Sequence, residues 1–418
     1  MYVEILKSSI NAKGLSCFIP VDIFNSLGLS EALCYTLHAG KLAADIYPIP
    51  YESNKKAIYL NDLLMKELYL YENMQLNIWK ENNHIYLGPV VGVLVTKEDL
   101  SLIKTGVIPN TLTELFKANE KSHCLLYYFS NENFYINYKK VYGYTKISSS
   151  GELLKLALPI ADTIYEQLNS ASQIEYMIFQ YMRKILTHYF DIQYINNHMY
   201  LGKWEIYKCL LSQTELNPYL PKTIPFDDFE DVKLFIDYFG KVILKPSYKS
   251  SKLGTLYIEK RSNIYYLYSK LQDKLLTISS TEELESFIAD YTKEELFIIQ
   301  QSFFSIKTVP ESMHILLGKN SKGKWIVVDS PECLQKSSLE SLFLKLGICI
   351  EKCFGHFGEI EISVILDSYE KPWIVDINIP PSNLKDYSHM YENYCKLRYL
   401  SILEYSKYLT IKNYESTI

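Results

Sequence analysis

Nothing in the 418-residue sequence points toward a polyanion, a bilayer or an export route. Lys and Arg total 43 against 48 Asp and Glu, and the net charge of −5 leaves no electrostatic footprint for nucleic acid. No uninterrupted apolar run is long enough to span a membrane. The opening MYVEILKSSI lacks a basic segment followed by an apolar core, so the expectation is no signal peptide and a protein that stays in its compartment of synthesis. The eight cysteines include no CxxC pair, which argues against a disulfide framework or a zinc ribbon. Cys349, Cys353 and His356 fall at helical spacing, which suits a metal or the buried face of a helix. No fourth ligand is evident, and that favours packing. What is present, 48% hydrophobic and 22% charged residues, describes an ordinary globular protein long enough for two or three domains. The 37 tyrosines are spread throughout and read as compositional bias, with surface association as the alternative.

The most informative stretch is GEIEISVILDSYEKPWIVDINIPPS, residues 358–382. Apolar residues alternate through IEISVIL and WIVDI, which predicts two strands joined by a charged turn at Asp367, Ser368 and Tyr369. Strand period places Asp376 and Asn378 on one face and Glu359, Glu361, Ser363 and Asp367 on one face of the partner. Oxygen donors facing each other across a hairpin suit a hard cation such as magnesium. An amphipathic hairpin with a solvated polar face is the alternative. Pro380 and Pro381 end the second strand.

An acidic strand, a turn and an apolar strand ending in (Glu/Asp)-x-Asn and proline resembles the metal-binding end of the ATP-grasp fold. The wording is most similar to the endospore coat-associated ATP-grasp proteins, the YheC/YheD family. The resemblance implies an α+β multidomain protein. Its parts would be an N-terminal β-rich, barrel-like domain over 1–97, a small α/β pre-ATP-grasp region over 98–199 and an ATP-grasp domain over 200–418.

The rest of the chain is read against that order. SCFIP followed by VDIFNSLGL, and KAIYL followed by LNDLLMKELYL, look like a repeated strand–helix pair in a small barrel, which LGPVVGVLV is expected to close. CLLYYFS, FYINYKKVYGYT and LALPIADTIYEQL read as strands of the α/β region. Pro159, Asp162 and Tyr165 resemble a family Pro-x-x-Asp-x-x-Tyr segment, while Gln167 stands where the family has arginine. A strand end and a buried aromatic are the favoured explanation of Asp162 and Tyr165.

FDDFEDVKLFIDYFG predicts an amphipathic helix stopped at Gly240, and VILK then carries Lys245 to a strand end. The loop SYKSSKLG after it resembles the ATP-grasp phosphate loop but retains only Gly254, with Tyr248 and Lys249 where small residues are expected. SSTEELESFIADY predicts a helix with a capping box from Ser280 to Glu283. ELFIIQQSFF predicts a buried strand, and residues 337–354 predict a helix with Leu339, Leu342, Phe343, Leu346 and Ile350 on one face.

The resemblance implies ATP and magnesium as cofactors. Lys203, Lys245, Ser250, Ser251, Gln300 and Gln301 would meet the nucleotide, with Asp376, Asn378 and an auxiliary Glu361 at the metal. Taken alone, a lysine on a helix such as Lys203 is most often a solvated side chain. It implies ligation of a carboxylate to an amine through an acyl phosphate. It also implies a location in the mother-cell cytoplasm or the spore coat, with a small-molecule or peptide substrate and other coat proteins as partners. Ser312, His314 and Gly318 replace an Asp-x-Arg-x-x-x-Gln pattern, and Ser363 replaces a metal-binding aspartate. These departures leave open a degenerate, non-catalytic member with a structural or binding role.

Overall fold

The computed structural model describes residues 1–10, 14–105, 110–135, 139–147, 151–168, 171–248, 254–269, 271–293, 295–308, 310–381 and 390–417. The chain divides into two units, residues 1–195 with 319–324 and 384–418, and residues 196–318 with 325–383. Among the described residues no helix is long and apolar enough to cross a membrane.

The first unit begins with a closed barrel of seven strands. Around it run Tyr2–Lys7, Ala57–Leu60, Ser16–Pro20, Leu42–Tyr51, Tyr35–Ala39, His84–Gly88 and Gln75–Glu81, and the last pairs with the first. The repeated strand–helix pairs are present: Ser16–Pro20 leads into the helix Val21–Ser26, and Ala57–Leu60 into Asp62–Glu67. The second helix is capped by Asn61, whose side chain accepts from Leu64 N.

LGPVVGVLV does not close the barrel as one strand. It is cut at Gly88, whose φ of +154° turns the chain, and at Pro89, which has no N–H to donate to a ladder. His84–Gly88 stays in the barrel, and Val90–Val95 becomes an inner strand of a separate seven-stranded sheet, parallel to Leu125–Phe129 and Thr163–Gln167. Strands buried on both faces read as unbroken apolar runs, and all six residues of Val90–Val95 are buried.

Asp162 and Tyr165 tie the last helix of the chain to this sheet. The Asp162 carboxylate accepts from Val90 N and from the Tyr414 hydroxyl, both at 2.8 Å, and Tyr165 pairs with Arg398. Tyr414 and Arg398 belong to the last helix, Met390–Thr417. Gly40 sits at φ +55°, with Ile160 O 2.0 Å from where a Cβ would be, so the turn there approaches backbone directly.

The second unit holds two antiparallel sheets. The six-stranded one runs Thr223–Pro225, Phe297–Gln301, Lys241–Pro246, Leu256–Arg261, Ile264–Ser269 and Lys274–Ile278. Two helices pack on it around a core that includes Val232, Ile236, Leu244, Ile288 and Ile299. The first, Phe229–Phe239, is capped by Asp228 and ends at Gly240 with φ +71°, the left-handed position that glycine adopts without strain. The second, Thr281–Thr292, starts at Ser280, whose hydroxyl accepts from Glu283 N.

The four-stranded sheet runs Trp325–Asp329, Met313–Lys319, Glu359–Leu366 and Pro372–Asn378. It packs on the helices Lys203–Leu211 and Ser337–Phe354 through residues that include Ile206, Leu346, Ile350, Ile360 and Ile362. Fully burying each such side chain contributes about 1.5–3 kcal/mol, which fixes both helices against the sheet.

Candidate functional site

The hairpin read from the sequence is observed, with Glu359–Leu366 paired to Pro372–Asn378. Asp367 shapes its turn, accepting from Tyr369 N, Lys371 N and Trp373 Nε1. Glu361 stands opposite Asn378, and Ser363 opposite Asp376. The register then shifts, so that Val364 faces Ile374 and Val375 is the extra residue of a bulge. A bulge withdraws backbone groups from the ladder and leaves them free for other partners.

The carbonyl of Val375 takes such a partner. Lys245, at the end of strand Lys241–Pro246 and only 8% exposed, donates to Val375 O at 2.8 Å and to Gln300 Oε1 at 2.7 Å. Lys245 therefore links the two sheets of this unit. Gln300 is held in turn by Thr223, whose Oγ1 accepts from its Nε2 at 3.1 Å. Gln301 lies at the strand end, where its side-chain oxygen accepts from Lys222 N. Burial pulls the Lys245 ammonium down to about 8; the charge of Lys203 adds to that, and Asp376 opposes it.

Lys203 opens the helix Lys203–Leu211 and donates to both oxygens of Asp376, at 2.5 and 2.6 Å. Burial pushes the Asp376 carboxyl up, but the ammonium groups of Lys203 and Lys245 and hydrogen bonds from Lys203 and Ile377 N outweigh it. The carboxyl is held below the usual carboxylate range.

Beside this pair, Glu361 is fully buried and its Oε1 accepts from Asn378 Nδ2 at 2.9 Å. His314 Nδ1 lies 3.5 Å from that oxygen and 3.4 Å from Ser363 Oγ, while its Nε2 lies 3.4 Å from Ser312 Oγ. A cavity of about 240 Å³ opens here, faced by Lys245, Gln301, His314, Ser363, Asp376 and Asn378. A second, of about 30 Å³, lies on the other side of Asp376 and is lined by Lys203 and Gln300. The larger falls short of the roughly 300–1,000 Å³ usual for a small-molecule pocket.

The structure thus brings Lys203, Lys245, Gln300, Gln301, Asp376 and Asn378 to one place, with Glu361 behind Asn378. Ser250 and Ser251, and with them Lys249 and Lys252, lie outside the described residues. The local sequence does not reveal the Lys203–Asp376 pair, because its members are 173 residues apart. The acceptor carbonyl of Val375 was equally hidden, since a strict two-residue period contains no bulge.

The cysteines depart from expectation in two respects. Cys209 and Cys353 form a disulfide across 144 residues, joining the helices Lys203–Leu211 and Ser337–Phe354. Cys349 lines the buried face as expected, but Cys353 is exposed. The pairing requires two helices that only the fold brings together, so spacing alone could not disclose it.

The family model for YheC/D-like ATP-grasp proteins matches residues 191–331 and 329–409. The endospore coat-associated protein YheD of Bacillus subtilis (strain 168) is 22% identical over 283 residues, covering 65% of this chain and 61% of that protein. The endospore coat-associated protein YheC of the same organism is 21% identical over 278 residues, covering 57% of this chain and 75% of that one. Among solved structures, D-cycloserine synthetase DcsG aligns with a TM-score of 0.44 and 9% identity over 74% of this chain and 98% of that one. The D-alanine–D-alanine ligase from Coxiella burnetii aligns with a TM-score of 0.43 and 11% identity, over 78% and 97% respectively.

Proposed function

The chain belongs to the YheC/D-like ATP-grasp family, and on that premise we propose that the cleft between its six-stranded and four-stranded sheets binds ATP with magnesium. Lys245 is the observation that carries this reading. A buried ammonium at a strand end, held by two neutral oxygens and facing a cavity, keeps its charge available for phosphate. Lys203 supplies a second ammonium. Gln300 and Gln301 meet the adenine edge, and Ser250 and Ser251 approach the phosphates from the loop after Lys245.

Asp376, Asn378 and Glu361 offer only oxygen donors, which fit a single hard cation completed by phosphate and water. The cation would offset charge on the phosphate oxygens. The chain's own residues would position the nucleotide, and the reaction class is ligation of a carboxylate to an amine through an acyl phosphate. The cavity is small for a whole nucleotide, so binding requires the cleft to widen and Lys203 to exchange Asp376 for phosphate.

A second reading is favoured by that same ion pair, and by His314 and Ser363 standing where the family pattern has arginine and aspartate. Lys203 and Asp376 neutralise each other, and loss of a single contact to developing charge costs about a hundredfold or more in rate. On this reading the chain is a degenerate member that keeps nucleotide binding or a structural role without turnover. The chain spans 61% of the length of the YheD protein it matches. Association with the spore coat, synthesis in the mother-cell cytoplasm, and coat-protein, small-molecule or peptide partners are proposed here by extension from those relatives.

Thermal unfolding with and without ATP and magnesium tests the nucleotide binding that the first reading requires. A ligand at 100 times its Kd stabilises the folded state by about 2.7 kcal/mol, a clear rise in Tm. An unchanged Tm at millimolar nucleotide contradicts binding. Phosphate release on addition of mixed carboxylates and amines then separates the two, since only the ligase produces it.

A further inference from the structure

The disulfide between Cys209 and Cys353 leaves a third sulfur beside it. Cys349 lies one turn before Cys353 in the helix Ser337–Phe354, and its Sγ is 3.5 Å from Cys209 Sγ. All three sulfurs lie within 4.8 Å of one another. Among the described residues this is the only group of three or more His, Cys, Asp or Glu with ligand atoms so close. Cys209 and Cys349 are 8% and 4% exposed, whereas Cys353 is exposed. Cys209 and Cys349 belong to the hydrophobic core cluster that includes Ile206, Leu210, Leu346 and Ile350, while Cys353 is at the surface.

These donors are soft. Thiolates select cations such as Cu(I), Zn(II) and Cd(II) over magnesium or calcium. At a metal–sulfur distance of about 2.3 Å, three ligand sulfurs sit about 3.8–4.0 Å apart. The observed spacing of Cys209 and Cys349 is a few tenths of an ångström tighter, a difference that side-chain rotation absorbs.

We propose that in the reduced chain Cys209, Cys349 and Cys353 form a three-thiolate site for one soft d¹⁰ cation, and that this state and the Cys209–Cys353 disulfide exclude each other. A thiol reductant delivers two electrons and two protons to the Cys209–Cys353 bond and becomes a disulfide itself. The two thiols so formed and the free thiol of Cys349 then give up their protons to bind the cation. Among the described residues no cysteine lines either cavity at Asp376, and the proposal does not depend on ATP binding.

The test is titration of the full chain with Cd(II), followed by thiolate-to-metal charge-transfer absorption, in three preparations. These are the reduced protein, the oxidised protein with the Cys209–Cys353 bridge verified by peptide mass, and reduced Cys349→Ala. The reduced protein is expected to bind one equivalent tightly, the oxidised protein at least about a hundredfold more weakly and the variant at least about tenfold more weakly. Cys353→Ser, a change at an exposed position, gives the same readout should Cys349→Ala fail to fold. Equal binding by reduced and oxidised protein overturns the proposal. So does binding by Cys353→Ser as tight as in the parent, or no charge-transfer band while all eight thiols react with a thiol reagent.

Discussion

Lys203 and Asp376 hold each other in a two-pronged ion pair, 2.5 and 2.6 Å from the ammonium nitrogen to the two carboxylate oxygens. One is a candidate for phosphate and the other for metal. Under the proposed function each would occupy the other's ligand position, and nucleotide binding would exchange one set of contacts for another.

Replacing Asp376 with Asn separates these effects. Lys203 is only 16% exposed at its side chain, so removing its counter-charge is expected to lower stability by about 1.5–3 kcal/mol in urea denaturation. The carboxyl is depressed in the folded state. Its stabilisation is therefore present above the unfolded carboxylate pKa and is lost as pH falls through the folded value. Asp376→Asn should flatten that acid limb. An unchanged midpoint and an unchanged acid limb would show that the pair contributes nothing.

Lys245 gives the opposite sign at alkaline pH. Its folded value of about 8 lies below its ordinary 10.5, so between those values the unfolded chain binds more protons than the folded one. Stability from this group therefore rises with pH across that window, and Lys245→Met should remove that slope. Phosphate needs the charged form, so nucleotide affinity should fall above pH 8, by at most about tenfold per pH unit. Lys245→Arg, charged throughout, should flatten the fall. An affinity independent of pH from 7 to 10 in the parent protein would contradict Lys245 as a phosphate ligand.

Ser363→Asp tests the metal face. It places a carboxylate opposite Asp376 and two residues from Glu361. Without a cation the added charge is expected to lower Tm, and millimolar magnesium should restore it, with chelator reversing the gain. A Tm indifferent to magnesium would remove the hairpin from consideration as a cation site.

Gly40→Ala tests the fold instead of the site. The added Cβ meets Ile160 O at 2.0 Å, at a φ of +55° that favours glycine, so a loss of more than about 1 kcal/mol is expected. A Tm equal to that of the parent would mean that the turn relaxes freely.

How much could be read from the sequence follows the range of each signal. The hairpin, the Phe229–Phe239 helix with its Asp228 and Gly240 ends, and the strand bearing Lys245 are local patterns, and each appears where its periodicity and end residues place it. Four features could not be read this way. The Val375 bulge breaks the period without a Gly or Pro to mark it. LGPVVGVLV is apolar on both sides of Gly88–Pro89, so hydrophobicity could not assign its halves to different sheets. Cys209 and Cys353, like Lys203 and Asp376, meet only through tertiary packing.

The central claim is that Lys245 holds nucleotide phosphate, and calorimetric titration of ATP with magnesium into the parent protein and into Lys245→Ala tests it most directly. The expected result is saturable, magnesium-dependent binding to the parent and loss of that binding in a variant that remains folded. Absence of heat at millimolar nucleotide in the parent, or equal binding by the variant, would contradict it.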